Sequence, residues 1–395
     1  MAGSGSIEHR GNDSWRLIVS LGKDRHNKYI KKQKTVKAKN KTEARHKLAA
    51  FVMEIESGEY IDPSKMTFES FISEWKSKYA KKHLAAKTLE NYMYTLNNYL
   101  IPEFGHVRLD EMKTIHIVNY LHSLEHEGSR KDDKQGSLSA SSILYHYRVL
   151  RNVFSRAVEW GVVKSNPLEK VTRPKVSQER TNVYTQEEVH QLFQLLQGEP
   201  IHQQLIVTLA LTSGLRRGEL LGLQWEDIDL NTGTIEVQHS LQHITGEGFQ
   251  LKTTKTKSSV RSVVIPAFVV DQLKTYRHKK NKERLQAAES WEGGKYYYVF
   301  CTQFGKPLYP TVPGTWWRRF IKRKGFKYIR FHDLRHTAAT LLINQGVHAK
   351  VIAERLGHAD IKTTMNVYGQ YIQQADEEAA DKLNTLFQPP INHTK

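Results

Sequence analysis

The sequence of 395 residues is longer than one hydrophobic core usually supports, so two or three domains are expected. Its 59 lysines and arginines against 41 acidic residues give a formal charge of +18, which favours nucleic acid as the partner over general solubility alone. The one cysteine, Cys301, excludes an intramolecular disulfide framework, and no stretch reaches the roughly 18 apolar residues of a membrane span or has the form of a signal peptide. We therefore expect a soluble protein of a reducing compartment.

The amino-terminal segment is predicted to form a small, basic, three-stranded sheet with one helix, ending at residue 65. Residues 14–22, SWRLIVSLG, have the composition of a strand, and a lysine-rich strand and a helix over residues 41–58 follow. The opening letters MAGSGS have the composition of an appended flexible segment and are left outside this prediction. We assign the lysines near the second strand to DNA contact; the alternative is a solvated edge strand that lysines protect from pairing. They are Lys28, Lys31, Lys32, Lys34 and Lys37.

Residues 66–172 are predicted to form a helical bundle. Apolar side chains recur there at helical spacing in four stretches, and such stripes are more typical of a core than of a cofactor site. A polar loop, residues 128–137, interrupts the bundle and is expected to be mobile. The four stripes are Phe68, Phe71 and Trp75; Leu89, Tyr92, Leu96 and Tyr99; Ile115, Val118 and Leu121; and Leu144, Val149, Val153, Phe154 and Val158.

A polar linker near residues 172–182 leads to a larger mixed domain over residues 173–395. Thr185 and Glu188 have the spacing of a capping box that opens a helix. The chain as a whole is predicted to be a multidomain α+β protein whose last domain is mainly helical with a small antiparallel sheet. Helical patterns occupy residues 187–196 and 203–214, strand patterns occupy residues 234–243, 249–254 and 260–266, and helices follow to the end.

Four stretches of the last domain place polar residues in apolar surroundings. Arg216 precedes an apolar stripe with Glu219 three residues later, and the alternative to a functional pair is a structural ion pair. The stretch LKTTKTKSSVRSVVIP is predicted to be a hairpin whose tip carries lysines, alternatively a merely soluble turn. His332 and Arg335 begin an apolar helix, where an isolated charge would be costly unless an anion meets it. His358 follows a helix end, which is usually only a capping position.

Together these stretches resemble the motifs of the tyrosine recombinases, the phage integrase family. TSGLRRGEL, HDLRHTAAT, LGHADIKTT and NVYGQY occur in the family's order, and the similarity covers the whole last domain. The helical bundle resembles the family's core-binding domain. The basic sheet is similar to the arm-binding domain of integrases from temperate phages and conjugative transposons of Gram-positive bacteria. Each motif is weak by itself, and the set in order is specific.

The resemblance implies a phosphate clamp made by two arginines. Arg216 and Arg335 match them, and a guanidinium fork suits bidentate contact with the non-bridging oxygens of a phosphodiester. Glu219 matches the family's supporting carboxylate. The neighbouring Arg217 is an alternative to Arg216 that the order of the motif argues against.

The resemblance also implies a tyrosine nucleophile. Tyr368 matches it, and its phenol must lose a proton as it attacks phosphorus to form a phosphotyrosyl link with the DNA 3′ end. Gly369 follows at a position where a small hydroxyl residue is commoner in the family, so Tyr371 remains an alternative nucleophile.

Three further residues are implied to handle the phosphate and its protons. His332 and His358 match the family positions that hydrogen-bond the phosphate. Lys255 matches the lysine that acts as general acid toward the departing 5′ oxygen, and a hairpin tip suits an acid that approaches only when DNA is in place. Its neighbours Lys252 and Lys257 are alternatives for that role.

The implied function is a site-specific DNA recombinase that integrates and excises a mobile element. The phosphotyrosyl bond preserves the energy of the broken diester, so no metal, ATP or other cofactor is expected, and the sequence has no phosphate-cradling glycine loop or HExxH motif. The implied partners are double-stranded DNA at core and arm sites, a Holliday junction and three further copies of the chain, together with a directionality factor and a host DNA-bending protein. The implied location is the bacterial cytoplasm, at the nucleoid.

Two other functions and one assembly feature stay open at this point. A type IB topoisomerase-like enzyme would relax DNA as a monomer, and a non-catalytic DNA-binding regulator would share the fold without the chemistry. The segment of residues 372–387 has an apolar stripe and is implied to dock onto a neighbouring protomer; alternatively it packs against its own domain.

Overall fold

The computed structural model divides the chain into two compact units, Met1–Ser177 and Gln178–Lys395, which are described separately below. The multidomain α+β class is confirmed, whereas the predicted domain limits at residues 65 and 172 stay predictions. None of the helices in the described part of the chain is long and apolar enough to cross a membrane. The structure describes residues 5–23, 28–56, 66–132, 134–177, 182–253, 260–358, 360–361, 383 and 387.

The first unit begins with a three-stranded antiparallel sheet covered on one face by a helix, as predicted. Leu17 and Val19 of the central strand pack against Phe51 of the helix. Leaving the opening residues outside the fold was wrong in part, because Gly5 and Ser6 belong to the first strand and pair with the central one. The elements are β1 (Gly5–His9), β2 (Ser14–Lys23), β3 (Tyr29–Lys37) and α1 (Lys41–Glu56).

The same unit continues as a helical bundle around a second core. The α-helical elements are α2 (Phe68–Trp75), α3 (Lys81–His83), α4 (Ala86–Thr95), α5 (Ile101–Phe104), α6 (Thr114–Ser123) and α7 (Ala140–Glu159). A π-helical segment, Lys76–Ala80, joins α2 to α3, and a second one, Leu96–Leu100, joins α4 to α5. Each pair of α-helices is therefore continuous. Phe68, Trp75 and Phe154 are fully buried in this core.

One predicted core stripe is wrong at two of its three positions, and its third residue, Leu121, is buried as predicted. On α6, Ile115 and Val118 are 54% and 41% exposed, and the buried residues are Ile117, Tyr120 and Leu121. This helix carries apolar side chains at too many positions for spacing alone to select one face. The side on which the bundle packs decides between the two possible stripes.

The described residues of the polar loop, 128–132 and 134–137, are held against the bundle by hydrogen bonds. Arg130 makes a bidentate contact with Asp132, at 2.8 and 2.7 Å, and the backbone N–H of Lys131 donates to the Tyr99 hydroxyl at 3.1 Å. The described part of this loop is therefore polar, as predicted, and is also tied to a core helix.

The second unit is mainly helical with two small sheets. Its core surrounds α9, whose residues from Leu205 to Leu211 are all buried, and includes Trp317 and Phe320. The elements are α8 (Gln186–Leu196), α9 (Ile201–Ser213), α10 (Arg217–Gly222), β4 (Ile228–Asp229), β5 (Thr234–Val237), β6 (His239–Ile244), β7 (Gly248–Thr253), β8 (Arg261–Val264), α11 (Ala267–Ala287), α12 (Val312–Lys324), α13 (Asp333–Asn344) and α14 (Ala349–Leu356).

The strands of the second unit pair differently from the predicted hairpin. β6 pairs with β7, whereas β8 pairs with β5 in a separate sheet of order β4-β5-β8. β7 and β8 therefore do not pair with each other as the predicted hairpin requires. Spacing along the chain showed the strands correctly, but pairing partners are a tertiary property that the local pattern does not contain.

Candidate active site

Two helix ends meet at the centre of the candidate site. Gly214 caps the carboxyl end of α9 and Gly357 that of α14, both in the left-handed conformation with φ of 64° and 67°. Glycine is the usual residue there because it adopts positive φ without strain. A side chain on Gly214 would come within 2.5 Å of Leu356 Cδ2, so the two ends are in close contact. Their terminal carbonyls carry the negative ends of two helix dipoles into one small volume.

Arginines from three different elements bind the last carbonyls of α14. Arg261 Nε donates to the oxygen of Arg355 at 2.7 Å, and Arg335 Nη2 donates to that of Leu356 at 2.6 Å. Arg216 Nη2 donates to the oxygen of Gly357 at 2.7 Å. Three consecutive carbonyls thus hold three guanidinium groups side by side.

Arg335 also joins the two helix ends to each other. It lies on α13 with only 3% of its surface exposed, and its Nη1 donates to the carbonyl of Gly214. A buried cation is costly unless it is hydrogen-bonded, and here backbone oxygens supply the bonds without cancelling the charge.

Glu219 is the acidic partner of this cluster. Its buried carboxylate accepts hydrogen bonds from Arg216 N at 2.9 Å, Arg216 Nη1 at 2.7 Å and Arg261 Nη2 at 2.8 Å. Burial alone would raise the pKa of Glu219, but the hydrogen bonds and charges of Arg261 and Arg216 outweigh it and lower that pKa below its ordinary value. With Arg335 included, three positive groups meet one negative group, a net charge of +2 (3 − 1) on these four side chains. The cluster is suited to receive an anion.

Two histidines stand beside the arginines. His332 is the residue before α13 and keeps exposed surface, and His358 follows Gly357 directly. Partial loss of hydration, together with the positive charges of Arg335 and Arg216, lowers the pKa of each histidine to about 4. Both rings are therefore neutral at pH 7, and each offers one hydrogen-bond donor and one acceptor.

The structure brings together five of the residues selected from the sequence. Arg216, Glu219, His332, Arg335 and His358 lie around the ends of α9 and α14. Their catalytic roles stay predictions.

The structure also locates two of the alternative residues, Arg217 and Lys252. The exposed Arg217 makes none of the contacts described for Arg216, so the geometry favours Arg216. Lys252 is a half-buried residue of β7. The predictions for Lys255, Lys257, Tyr368 and Tyr371 fall outside the described residues. Of the carboxyl-terminal docking segment only Leu383 and Phe387 are described, 52% and 80% exposed, so its docking stays a prediction.

Sequence reasoning missed Arg261. A signal was present, because Arg261 is in phase with the buried Val263 on β8, so the strand pattern places a charged residue on the inward face. Its partners, Glu219 and the end of α14, are 42 and 94 residues away along the chain and could not be read from spacing.

The predicted DNA-binding lysines of the first unit divide between the two faces of the sheet. Lys32 and Lys34 pair with Val19 and Leu17 and so face α1, where Lys34 Nζ lies 2.8 Å from Glu54 Oε2. Two of the predicted lysines lie on the opposite face of the sheet: Lys31, which pairs with Ser20, and Lys37, which pairs with Ser14. Only this second pair shares the face that α1 leaves uncovered; Lys28 lies just before β3.

Sequence comparisons agree with the motifs. The profile described as "Phage integrase family" matches residues 182–375, and that described as "Phage integrase, N-terminal SAM-like domain" matches residues 67–124. The chain is 29% identical to a tyrosine recombinase XerC-like protein of Caldanaerobacter subterraneus subsp. tengcongensis, over 98% of this chain and 100% of the relative. It is 31% identical to the ICEBs1 integrase of Bacillus subtilis, over 75% of this chain and 77% of the relative.

Structural comparisons give the same fold. Residues 82–397 of the Tn1549 transposon integrase, solved in complex with a circular intermediate DNA, match with a TM-score of 0.61 at 22% identity, over 78% of this chain and 98% of that chain. A lambda integrase tetramer bound to a Holliday junction matches with a TM-score of 0.53 at 18% identity, over 91% of this chain and 94% of that protein.

Proposed function

The chain belongs to the phage integrase family of tyrosine recombinases, and from this premise we propose how its own residues carry out the reaction. It is a site-specific DNA recombinase of the integrase type, an enzyme that transfers DNA strands without metal or ATP. Its relatives do not favour topoisomerase-like relaxation or a purely regulatory role. The observation that carries the proposal is the set of guanidinium groups held on consecutive carbonyls at the end of α14.

Arg216 and Arg335 are proposed to bind the scissile phosphate. Two N–H groups of Arg216 bind Glu219 and the Gly357 carbonyl, and its side chain is still 38% exposed, so part of the side chain faces solvent. Because backbone and carboxylate contacts already fix these groups, they need little rearrangement when negative charge grows on the phosphate oxygens. Arginine suits this role better than lysine because its planar fork reaches two oxygens at once.

The proposed cleavage step uses Tyr368 as nucleophile. Its phenolic oxygen forms a bond to phosphorus while the bond from phosphorus to the 5′ oxygen breaks, so the number of phosphate esters is unchanged. The phenolic proton passes to a base, and His332 and His358, whose pKa values of about 4 leave them neutral at pH 7, are the proposed bases. The departing 5′ oxygen takes a proton from Lys255. Rejoining is the reverse attack by a 5′ hydroxyl.

Double-stranded DNA is the proposed partner at more than one kind of site. Residues 173–395 and the bundle of residues 66–172 would bind the core site, and residues 1–65 would bind arm sites through the face that carries Lys31 and Lys37. A homotetramer on a Holliday junction is proposed by analogy with the lambda integrase assembly. A directionality factor, a host DNA-bending protein and a bacterial cytoplasmic location at the nucleoid belong to the same proposal.

A nicked suicide substrate tests the proposed chemistry. Duplexes from the ends of the mobile element that carries this coding sequence are incubated with the full chain, and denaturing electrophoresis detects a covalent adduct. We expect the wild type and Tyr371→Phe to form the adduct and Tyr368→Phe to bind DNA without forming it. An adduct on Tyr371 would move the nucleophile to that residue, and no adduct with any substrate would contradict the proposed reaction.

A further inference from the structure

Arg261 occupies a junction between the parts of the candidate site. It is the first residue of β8, paired with Val237 on β5, and its side chain is only 6% exposed. It also follows the connection at residues 254–259, which contains Lys255, by two positions. The strand that carries Arg261 thus begins two positions after the segment that contains the proposed general acid.

Its guanidinium contacts two different elements at once. Nη2 lies 2.8 Å from Glu219 Oε2 on α10, and Nε lies 2.7 Å from the carbonyl oxygen of Arg355 at the end of α14. The group also packs against Gly357, where an added side-chain carbon would lie 2.9 Å from Nη1. α10 is preceded by Arg216, and α14 is followed by His358.

We propose that Arg261 is a positioning residue of the recombination reaction. It holds Arg216 and His358 in the relative positions from which both can contact one phosphate. It acts on Arg216 through Glu219, whose second oxygen binds Nη1 of Arg216 at 2.7 Å. It acts on His358 through the end of α14. The inference rests on the proposed function, because the relative position of Arg216 and His358 matters only if both contact the same phosphate.

The requirement for arginine follows from geometry. The two acceptors lie on separate elements, and only a planar fork with several donors reaches both from one side chain. A lysine keeps the charge but places one nitrogen at one point, so it favours one acceptor over the other. A methionine keeps the volume and leaves Glu219 without one of its two cationic partners.

A purely structural role would give a different result from a positioning role. A buried ion pair is often no more stabilising than apolar residues of similar size, so stability alone does not explain a buried arginine here. The charged and titratable groups around it are Glu219 on α10, Arg216 before α10, Arg355 on α14 and His358 after α14. Removing Arg261 changes the charge balance of this set, which makes the pH dependence of cleavage a specific readout.

The test compares Arg261→Met, Arg261→Lys, Glu219→Gln and the double variant Arg261→Met/Glu219→Gln in the full chain. Arg323→Met serves as the control, because it breaks an ion pair with Glu199 at the other end of α9 in the same unit. Single-turnover adduct formation is measured between pH 5 and 8 on the suicide substrate, together with DNA affinity and thermal unfolding.

We expect Arg261→Met to slow adduct formation about 100-fold with DNA affinity changed less than about threefold. The pH below which the rate of adduct formation falls, the acid limb of the profile, should be higher in Arg261→Met than in the wild type by roughly half a pH unit or more. The reason is that Glu219, without Arg261 beside it, is protonated at a higher pH. Arg261→Lys should recover part of the rate. The effects of Arg261→Met and Glu219→Gln should not add, because both act through one contact.

The outcomes separate this inference from the proposed function. An inactive wild type would refute the proposed reaction, whereas an active wild type with an equally active Arg261→Met of unchanged pH profile would refute only the role of Arg261. Additive losses in the double variant would also refute it. If Arg261→Met does not fold, Arg261→Lys decides: a folded lysine variant with a shifted acid limb supports positioning, and one with the wild-type rate and limb overturns it.

Discussion

Arg335 Nη2 donates to the carbonyl oxygen of Leu356 at 2.6 Å, and its other terminal nitrogen binds the carbonyl of Gly214. One side chain of α13 thereby joins the ends of α9 and α14. The same guanidinium serves the fold, by satisfying two buried acceptors, and the proposed chemistry, by standing where a phosphate would dock.

Arg335→Lys should separate the two roles. A lysine keeps the positive charge but loses the planar fork, so we expect adduct formation to fall at least about 100-fold. Non-specific DNA affinity should change less than about threefold, because many lysines elsewhere supply it. Each buried carbonyl left unpaired costs roughly 1–3 kcal/mol, so unfolding in urea should occur at a lower concentration. Adduct formation within about threefold of the wild type would contradict the phosphate role.

Gly214→Ala should harm both folding and cleavage more than the same change at Gly325. Both glycines end helices with φ near +60°, but a side chain at Gly214 would meet Leu356 Cδ2, whereas at Gly325 nothing lies within 4 Å. We expect the free energy of unfolding to fall by about 1–2 kcal/mol at Gly325, from the left-handed conformation alone. At Gly214 overpacking should add about 1–3 kcal/mol. Equal losses in urea unfolding would show that the two helix ends are not tightly packed.

Lys31→Gln/Lys37→Gln should weaken binding to arm-site DNA and leave core-site binding unchanged. The two lysines share the open face of the sheet, and losing two phosphate contacts should reduce the slope of log affinity against log salt by about 2. The matched control is Lys32→Gln/Lys34→Gln, which removes the same charge from the face that α1 covers. Fluorescence anisotropy at several salt concentrations measures both slopes. Equal effects of the two double variants would indicate that charge, and not the face, governs binding.

The helical bundle should lose stability as pH falls because of His146. This buried ring hydrogen-bonds the Tyr120 hydroxyl at 2.7 Å, and burial lowers the pKa of His146 to about 4. The unfolded chain binds a proton near pH 6.5 while the folded bundle does not. This contribution to stability is therefore complete above about pH 6.5 and is lost as pH falls toward 4, amounting to about 2 kcal/mol by pH 5.

His146→Phe removes that titration and should flatten the pH dependence between pH 7 and 5, even though the unpaired Tyr120 hydroxyl lowers stability at every pH. Hydrogen–deuterium exchange of peptides from α7 in the full chain measures the opening free energy of the bundle. The exposed His106→Phe is the control and should keep the wild-type slope. An unchanged slope in His146→Phe would assign the acid sensitivity to another group.

Most elements could be predicted from periodicity, because strands such as β2 and helices such as α9 carry a local pattern. The failures have a common cause. The buried face of α6, the partner of β8 and the contacts of Arg261 are each decided by segments distant in sequence. The motif residues could be located because their types and order are specific. The backbone carbonyls that bind the arginines could not, because every residue has a carbonyl and the sequence does not indicate which ones face the site.

Those carbonyls give the clamp a property that acidic side chains could not. An amide oxygen does not titrate in the physiological range, and its partial charge is about half an electron or less at a helix end, so it restrains a cation without neutralising it. The carbonyls of Leu356 and Gly357 should therefore hold the guanidinium groups of Arg335 and Arg216 in the same way at any acidity the cell reaches. Acid sensitivity of the reaction would then come from its proton-transfer groups and from Glu219. The support that these carbonyls give to the phosphate-binding arginines would not change with pH.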